Sequence, residues 1–288
     1  MGKIEIDAQK CLRDGLCVAI CCESHVFAEG KNGEAPSVVN EKECAECGHC
    51  VSICPAGAIV HSGMDMSRFQ TLDTGALPGA NSVEALLYSM RTIRHYLNKP
   101  VPEATLEKLL QAGAMAASEH NAQDRQFIVI ADRKIIADLS KQLVAHYRML
   151  LFALRAPVIK IISIFNPGLG AYLKRSISDM KRKVAEYNAD NDTIFHDAPC
   201  VIAITSSKGN ILGKDSALTS QEAMRMLAYS MGMGVCISGY AIGAPSVVKR
   251  ALKIPGNRQM HTLFTLGYPK YKFKKTPDRK QPVITRLS

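Results

Sequence analysis

The chain has 288 residues, 47% hydrophobic and 22% charged, with ten cysteines, no tryptophan and a formal net charge of +10 at pH 7. Those fractions suit a globular protein with room for one sizeable domain and a small one. The start, MGKIEIDAQKC, has no apolar signal core, and the most apolar region, 149–173, is broken by Arg155, Pro157, Lys160 and Pro167; a span needs about 20 uninterrupted apolar residues, so a cytoplasmic protein without a transmembrane segment is expected.

The first elements belong to a repeat. Shifted by 33 positions, the N-terminal region overlays on itself: Asp7 on Asn40, Cys11 on Cys44, Asp14 on Cys47, Cys17 on Cys50, Cys21 on Cys54, then Val26 and Gly30 on Ile59 and Gly63. Two copies of one supersecondary unit sharing a core are implied. Each reads as a short strand (Ile4–Ile6, Ser37–Val39), a ligand loop, a short helix and a second strand. Eight of the ten cysteines lie in the first 54 residues at short regular spacings, which favours metal ligation over disulfides.

The second copy reads C-x2-C-x2-C-x3-C-P, from Cys44, Cys47, Cys50 and Cys54 to Pro55. Over residues 3–62 the sequence resembles the bacterial two-cluster ferredoxins, in which the fourth cysteine of such a run ligates the other cluster. On that pattern Cys44, Cys47, Cys50 and Cys21 hold one 4Fe–4S cluster, and Cys11, Cys17 and Cys54 belong to the other. Zinc also takes four thiolates, but a doubled frame suits two cubes better than one tetrahedron. Asp14 stands where the first copy's second cysteine belongs. Either its carboxylate completes a 4Fe–4S cluster or that site holds 3Fe–4S, and both change the potential. Cys22, in the place of Pro55, is expected to be a small buried hydrophobe.

Residues 64–81 are polar, with Gly75, Pro78 and Gly79, and read as a linker between an iron–sulfur domain at 1–63 and a larger domain at 82–288. A helix follows Asn81 and Ser82 with Val83, Leu86, Leu87, Met90 and Ile93 on one face. The next begins after Pro102 and turns Leu106, Leu109 and Leu110 inward. Strands are expected at Gln126–Ala131, Cys200–Thr205, Val235–Ile237 and Thr262–Leu266. Helices are expected at Arg133–Met149, Thr219–Met231 and Pro245–Leu252. The fold class is therefore α+β or mixed α/β, a small ferredoxin-like domain followed by a layered α/β domain. No G-x-G-x-x-G follows a strand, so a Rossmann nicotinamide domain is not supported.

Within the larger domain, residues 82–130 and 198–282 resemble the FMN-dependent nitroreductase family. Four segments carry the likeness: Arg91-Thr92-Ile93-Arg94-His95-Tyr96 with Lys99-Pro100-Val101-Pro102; Ala117-Ser118-Glu119-His120-Asn121-Ala122-Gln123; Met231 to Gly239; and Leu266-Gly267-Tyr268-Pro269 before a basic tail. The resemblance implies FMN and a homodimer. Arg91, Thr92 and Arg94, offered from a helix end, suit a phosphate. Ser118 would contact the ribityl–phosphate region, Asn121 would face the isoalloxazine or substrate, and Ser238 and Gly239 would lie near N5, where glycine permits close approach. Lys275 and Arg279 are further phosphate candidates, and His120 is a candidate proton source beside solvent. Asp124 and Arg125 replace the family's Pro-Trp, which implies a more polar flavin site.

The insert at 140–196 combines apolar stretches with a charged helix, Lys174–Tyr187, and reads either as extra core and dimer surface or as a lid over the flavin. Residues 1–62 carry five Lys/Arg against nine Asp/Glu, whereas the remainder carries 31 against 17, much of it in the tail 270–280. No nucleic-acid motif accompanies that basic charge. Cofactor phosphates or an acidic electron carrier are the expected partners. The expected activity takes electrons from an external donor, a ferredoxin or a reductase, through two clusters to FMN and on to a small acceptor: a nitroaromatic, a quinone or an activated alkene. The alternatives are an electron-transfer module serving a protein partner, or a specialised flavin enzyme of the same fold such as a reductive dehalogenase.

Overall fold

The computed structural model describes all residues except Met1, Gly2, Cys22, Glu23, Ser24, Arg155, Ala189 and Ser288, and the side chain of Ala156. The expectation for Cys22 therefore falls outside the described residues. The chain divides into two units, Met1–Pro78 with His120–Ala122, and Gly79–Glu119 with Gln123–Ser288.

In the first unit the elements are β1 (Ile4–Ile6), α1 (Leu16–Ile20), β2 (Phe27–Ala28), β3 (Ser37–Val38), α2 (His49–Ile53) and β4 (Ile59–His61). The 33-residue repeat is visible in them, since α1 and α2 superpose end to end at that offset. Each small sheet takes one strand from each copy: β1 pairs antiparallel with β4, Ile4 opposite His61, and β2 with β3, Phe27 opposite Val38. Neither copy can close its own sheet, so the copies fold together. The core between them is Ile4, Val26, Phe27 and Ile59 with Cys17 and Cys50.

The second unit contains α3 (Ala80–Ser89), α4 (Glu103–Met115), β5 (Gln126–Ile130), α5 (Arg133–Ala153), α6 (Ala156–Phe165), α7 (Pro167–Glu186), β6 (Cys200–Ser207), α8 (Gly213–Ser230), β7 (Gly234–Ile237), α9 (Gly239–Gly243), α10 (Pro245–Ala251) and β8 (Arg258–Gly267). Among the described residues the sheet order is β5-β6-β8-β7, antiparallel throughout. Strand β6 is buried on both faces. Val201 and Ala203 pack under α5 and α10 with Leu143 and Val248. Cys200, Ile202 and Ile204 pack under α4 and α8 with Leu109 and Met224. A central strand covered on both sides reads as a continuous apolar run. Gly113 allows α4 to approach α8, since a Cβ there would lie 2.9 Å from Met224 Sδ.

Several boundaries differ from expectation: α5 runs on to Ala153, β8 spans Arg258–Gly267, α7 starts at Pro167, and α3 begins at Ala80, so Asn81 and Ser82 lie inside it instead of capping it. Helix α3 stops at Ser89, so Met90 and Ile93, expected on its face, lie beyond it, and Ile93 N–H donates to Val235 O of β7 (3.1 Å). Helix α8 starts at Gly213, earlier than the apolar pattern suggested, because Gly213, Ser216 and Ala217 are small residues buried by close packing. No helix of the described residues is long and apolar enough to cross a membrane.

Candidate functional site

In the first unit the ligand candidates gather around two cavities. One, with about 390 Å³ of empty space including its mouth, is lined by Cys21, Cys44, Cys47 and Cys50 together with Gly48 and His61. The other, about 300 Å³, is lined by Cys11, Asp14, Cys17 and Cys54 between Ile6 and Ile59. Each cavity takes one cysteine from the opposite copy, as each sheet takes one strand.

The loops are shaped by paired left-handed residues. Gly15 and Gly48 precede α1 and α2 with φ of 71° and 75°, and Arg13 and Glu46 adopt φ of 60° and 50° at the same offset. Such backbone favours glycine at the helix starts. It turns amides toward sulfur: Arg13 N–H donates to Cys11 Sγ (3.4 Å), Glu46 N–H to Cys44 Sγ (3.4 Å) and Ala58 N–H to Cys54 Sγ (3.3 Å). Leu16 N–H donates to Asp14 Oδ1 (3.1 Å).

Burial pushes the Cys17 and Cys44 thiols up, and Cys50 up to about 11. Neighbouring thiols in the same set, Cys11 and Cys54 about Cys17, and Cys44, Cys47 and Cys21 about Cys50, add to the rise. Thiolates so placed need a shared positive centre, and an iron–sulfur core supplies one while accepting the sulfur-directed amides. Among the described residues no three His, Cys, Asp or Glu groups form a single-ion site. The donor set fits clusters.

One group at the larger cavity carried no signal in the sequence. His61 is fully buried; its Nδ1 accepts from Gly63 N–H (3.1 Å) and its Nε2 lies 3.5 Å from Cys44 Sγ. A lone histidine seven residues after Cys54 has no spacing partner, so only the fold reveals it.

In the second unit three of the four family-like segments run side by side. Thr92 forms a parallel bridge with Val235, and Tyr96 an antiparallel one with Pro269. Leu97 N–H donates to Tyr268 O (2.8 Å) and Lys270 N–H to His95 O (2.9 Å), while Lys99 Nζ stands 4.2 Å from the centre of the Tyr268 ring. Tyr96 Oη bonds Thr265 Oγ1 (2.7 Å) and donates to Ile93 O (2.8 Å). Arg91, Thr92 and Arg94 therefore lie on an extended segment beside β7, a correction to the expected helix end, because the edge amides and carbonyls of β7 offer this segment partners.

Arg94 reaches a cationic corner that the sequence did not announce. Burial holds His196 down to about 4, with Lys183, Arg94 and His95 adding repulsion. Burial also holds Lys183 below the usual lysine range, with Arg182 and Arg94 adding to the depression and Asp179 opposing it. Cys236 is pushed up by burial and held back by Arg94 and Lys183. Mutually repelling cations around a partly buried point are what a phosphate would relieve. Lys183 comes from α7 and His196 from the segment after it, far from the motif in sequence. Lys183 Nζ also donates to Thr193 O (3.0 Å).

Ser238 caps α9, its Oγ accepting from Ala241 N–H (3.3 Å), and a Cβ on Gly239 would meet nothing within 4 Å, so the space beside this backbone is open. Ser118 Oγ accepts from Gln123 N–H (3.1 Å). His120 and Asn121 have φ of 43° and 54° and group with the first unit; there Asn121 Nδ2 donates to Glu46 O (2.7 Å). Lys275 and Arg279 are exposed in a tail without regular structure.

Asp124 and Arg125 have scaffold partners. Asp124 pairs with Arg258 (3.2 Å) and accepts from Ser207 N–H (2.8 Å) and Oγ–H (2.6 Å). Arg125 donates to Ala114 O (3.1 Å), Ala116 O (2.7 Å) and Ala117 O (3.1 Å), where a cation suits the end of α4. In the insert, α5 and the later half of α7 contribute core residues such as Leu143, Tyr147 and Met180, whereas Ile161, Ile164 and Phe165 of α6 are exposed.

Residues 87–268 match the nitroreductase family, and residues 3–55 match the 4Fe-4S dicluster domain. An Archaeoglobus fulgidus protein assigned as an NADH dehydrogenase/NAD(P)H nitroreductase is 34% identical over 56 residues, 19% of this chain and 32% of that protein, so the match spans about a third of it. A 4-nitrobenzoate reductase of a Nocardioides species is 25% identical over 210 residues, covering 67% of this chain and 83% of that one. A Bacteroides fragilis nitroreductase with bound FMN superposes with a TM-score of 0.56 at 17% identity, over 73% of this chain and all of that one. Oxidised iodotyrosine deiodinase bound to FMN and 3-iodo-L-tyrosine gives 0.53 at 17% identity, over 71% of this chain and 99% of that one. At such identities the two structures establish the fold alone.

Proposed function

The chain belongs to the nitroreductase family and joins an FMN-dependent reductase unit to a 4Fe-4S dicluster domain, and from that premise we propose that it carries electrons from an external donor through two clusters to FMN and on to a small organic acceptor. The acceptor class is a nitroaromatic, a quinone or an activated alkene. The observation that carries the reading is the pair of thiol-lined cavities, each completed by a cysteine from the opposite copy.

When bound, the clusters would move single electrons and FMN would collect two for delivery together. The chain's own residues bind and orient. Cys21, Cys44, Cys47 and Cys50 hold one 4Fe–4S core; Cys11, Cys17 and Cys54 hold the other, with Asp14 either ligating a fourth iron or standing beside a three-iron core. Arg91, Thr92 and Arg94 take the FMN phosphate, joined by Lys183, with Lys275 and Arg279 of the tail as further cations. Ser118 and Asn121 contact the flavin from one segment, and Ser238 and Gly239 offer backbone near N5. Protons come from solvent or from exposed His120. The polar stretch expected as a linker, 64–81, ends in the first turn of α3 and otherwise groups with the first unit up to Pro78. The apolar face of α6, with Ile161, Ile164 and Phe165, supports a homodimer surface or a lid.

The test is one oxygen-free preparation of the full chain, with iron, labile sulfide and FMN counted and the reduced protein mixed with nitroaromatics and quinones. Both cofactors and rapid reoxidation are expected. Rapid reoxidation only with a partner protein would favour an electron-transfer module. Preferential turnover of a halogenated substrate would favour a dehalogenase, and absence of sulfide and flavin would end the proposal.

A further inference from the structure

The two copies of the repeat are not equivalent at their first cysteine. Cys11 and Cys44 correspond at the 33-residue offset, and each accepts one backbone N–H at 3.4 Å, from Arg13 and Glu46. Beyond that the copies part. The residue corresponding to His61 is Ala28, whose side chain carries no donor, whereas His61 Nε2 lies 3.5 Å from Cys44 Sγ.

The direction of this bond follows from its other end. Gly63 N–H can only donate, so His61 Nδ1 accepts and the ring proton resides on Nε2, facing sulfur. The ring is held by its strand, since His61 pairs with Ile4 in the β1–β4 register and Met64 N–H donates to His61 O (3.0 Å). Complete burial removes water as a competing partner.

We infer that His61 is a positioning residue that acts through Cys44 to raise the reduction potential of the Cys21/Cys44/Cys47/Cys50 cluster above the value its backbone amides alone would set. This rests on the proposed occupancy of that cavity by an iron–sulfur core. One-electron reduction adds a negative charge that is shared onto the ligand sulfurs, and an N–H aimed at one of them stabilises the reduced state more than the oxidised. No bond is made or broken, and the proton stays on Nε2. With Asp14 replacing a thiolate in one set and His61 adding a donor to the other, the two cavities are built to differ in potential, which gives electrons a preferred order of occupancy.

The test is an EPR-monitored redox titration of the full, oxygen-free holoprotein, wild type against His61→Phe and His61→Gln, each with iron and sulfide counted. His61→Phe keeps a flat ring without the donor. It should move one of the two cluster steps to lower potential by a tenfold change in the reduced-to-oxidised ratio, about 59 mV for one electron, and leave the other step in place. His61→Gln retains an N–H and should recover part of the shift. In wild type, an exchangeable proton coupled to one reduced cluster should be seen by ENDOR and vanish in His61→Phe. Loaded His61→Phe with both steps unmoved would overturn the inference alone, as would equal movement of both. Should His61→Phe not retain its clusters, absence of the coupled exchangeable proton in wild type would overturn it. Wild type free of labile sulfide would overturn the proposed function and this inference together.

Discussion

The two units make their sites by opposite means. In the first, among the described residues, Cys17 and Cys50 are themselves part of a buried apolar cluster with Ile4, Val26, Phe27 and Ile59. In the second, Leu139, Leu143, Val201 and Leu263 on one face of the sheet and Leu109, Ile202, Ile204 and Phe264 on the other are buried without any ligand residue among them. A small unit cannot bury enough apolar surface to fold strongly by itself, so the thiols proposed as ligands double as its core. A larger one can keep an independent core and leave its site at the sheet edge. On the proposed ligation, cofactor and fold are coupled in one unit and separable in the other.

The largest effect should come from breaking that contrast directly. Removing iron with a chelator under reducing conditions should abolish amide-exchange protection across Ile4–His61 while protection of β6 and β8 persists, because metal binding in such a unit is folding free energy; hydrogen-exchange mass spectrometry reads both in one sample. Next, Leu143→Ala, at a fully buried position, should cost the second unit about 2–5 kcal/mol in denaturant unfolding and leave iron content unchanged.

Arg94→Ala should weaken flavin retention by about 1.5–3 kcal/mol, the usual worth of a hydrogen bond to a charged group, measured by FMN release in dialysis, with iron and sulfide unaffected. A graded effect comes with pH. His196 titrates near 4 in the folded second unit, below its ordinary value of about 6.5. Below the ordinary value the unfolded chain takes up the proton first, so this contribution is complete above about 6.5 and is lost as pH falls toward 4. Thermal unfolding of wild type should weaken through that window, and His196→Gln should flatten the slope.

How much could be read beforehand follows the same divide. The cysteines proposed as ligands sit at fixed short spacings, so the run Cys44-Cys47-Cys50-Cys54 and its offset copy were plain in the sequence, and the strand at Ile4–Ile6 with them. Strands β5 to β8 were legible because a doubly covered sheet demands unbroken apolar runs. The order β5-β6-β8-β7 was not, since pairing is set by long-range contacts. Lys183 and His196 escaped notice because nothing local marks a residue whose charge matters only beside Arg94. His61 escaped for the same reason, its meaning lying in an approach to Cys44 across the fold. Asp124 and Arg125 were legible as polar positions, whereas their partners Arg258, Ser207 and the end of α4 were not, because those contacts form across the fold.

In the proposed relay, electrons leave the clusters through the flavin. Stopped-flow mixing of the fully reduced protein with a quinone, alongside the same protein stripped of FMN but retaining its iron and sulfide, tests it most directly. The clusters should reoxidise together with the flavin in the complete protein and remain reduced without it. Equal rates of cluster reoxidation in the two samples would contradict the relay.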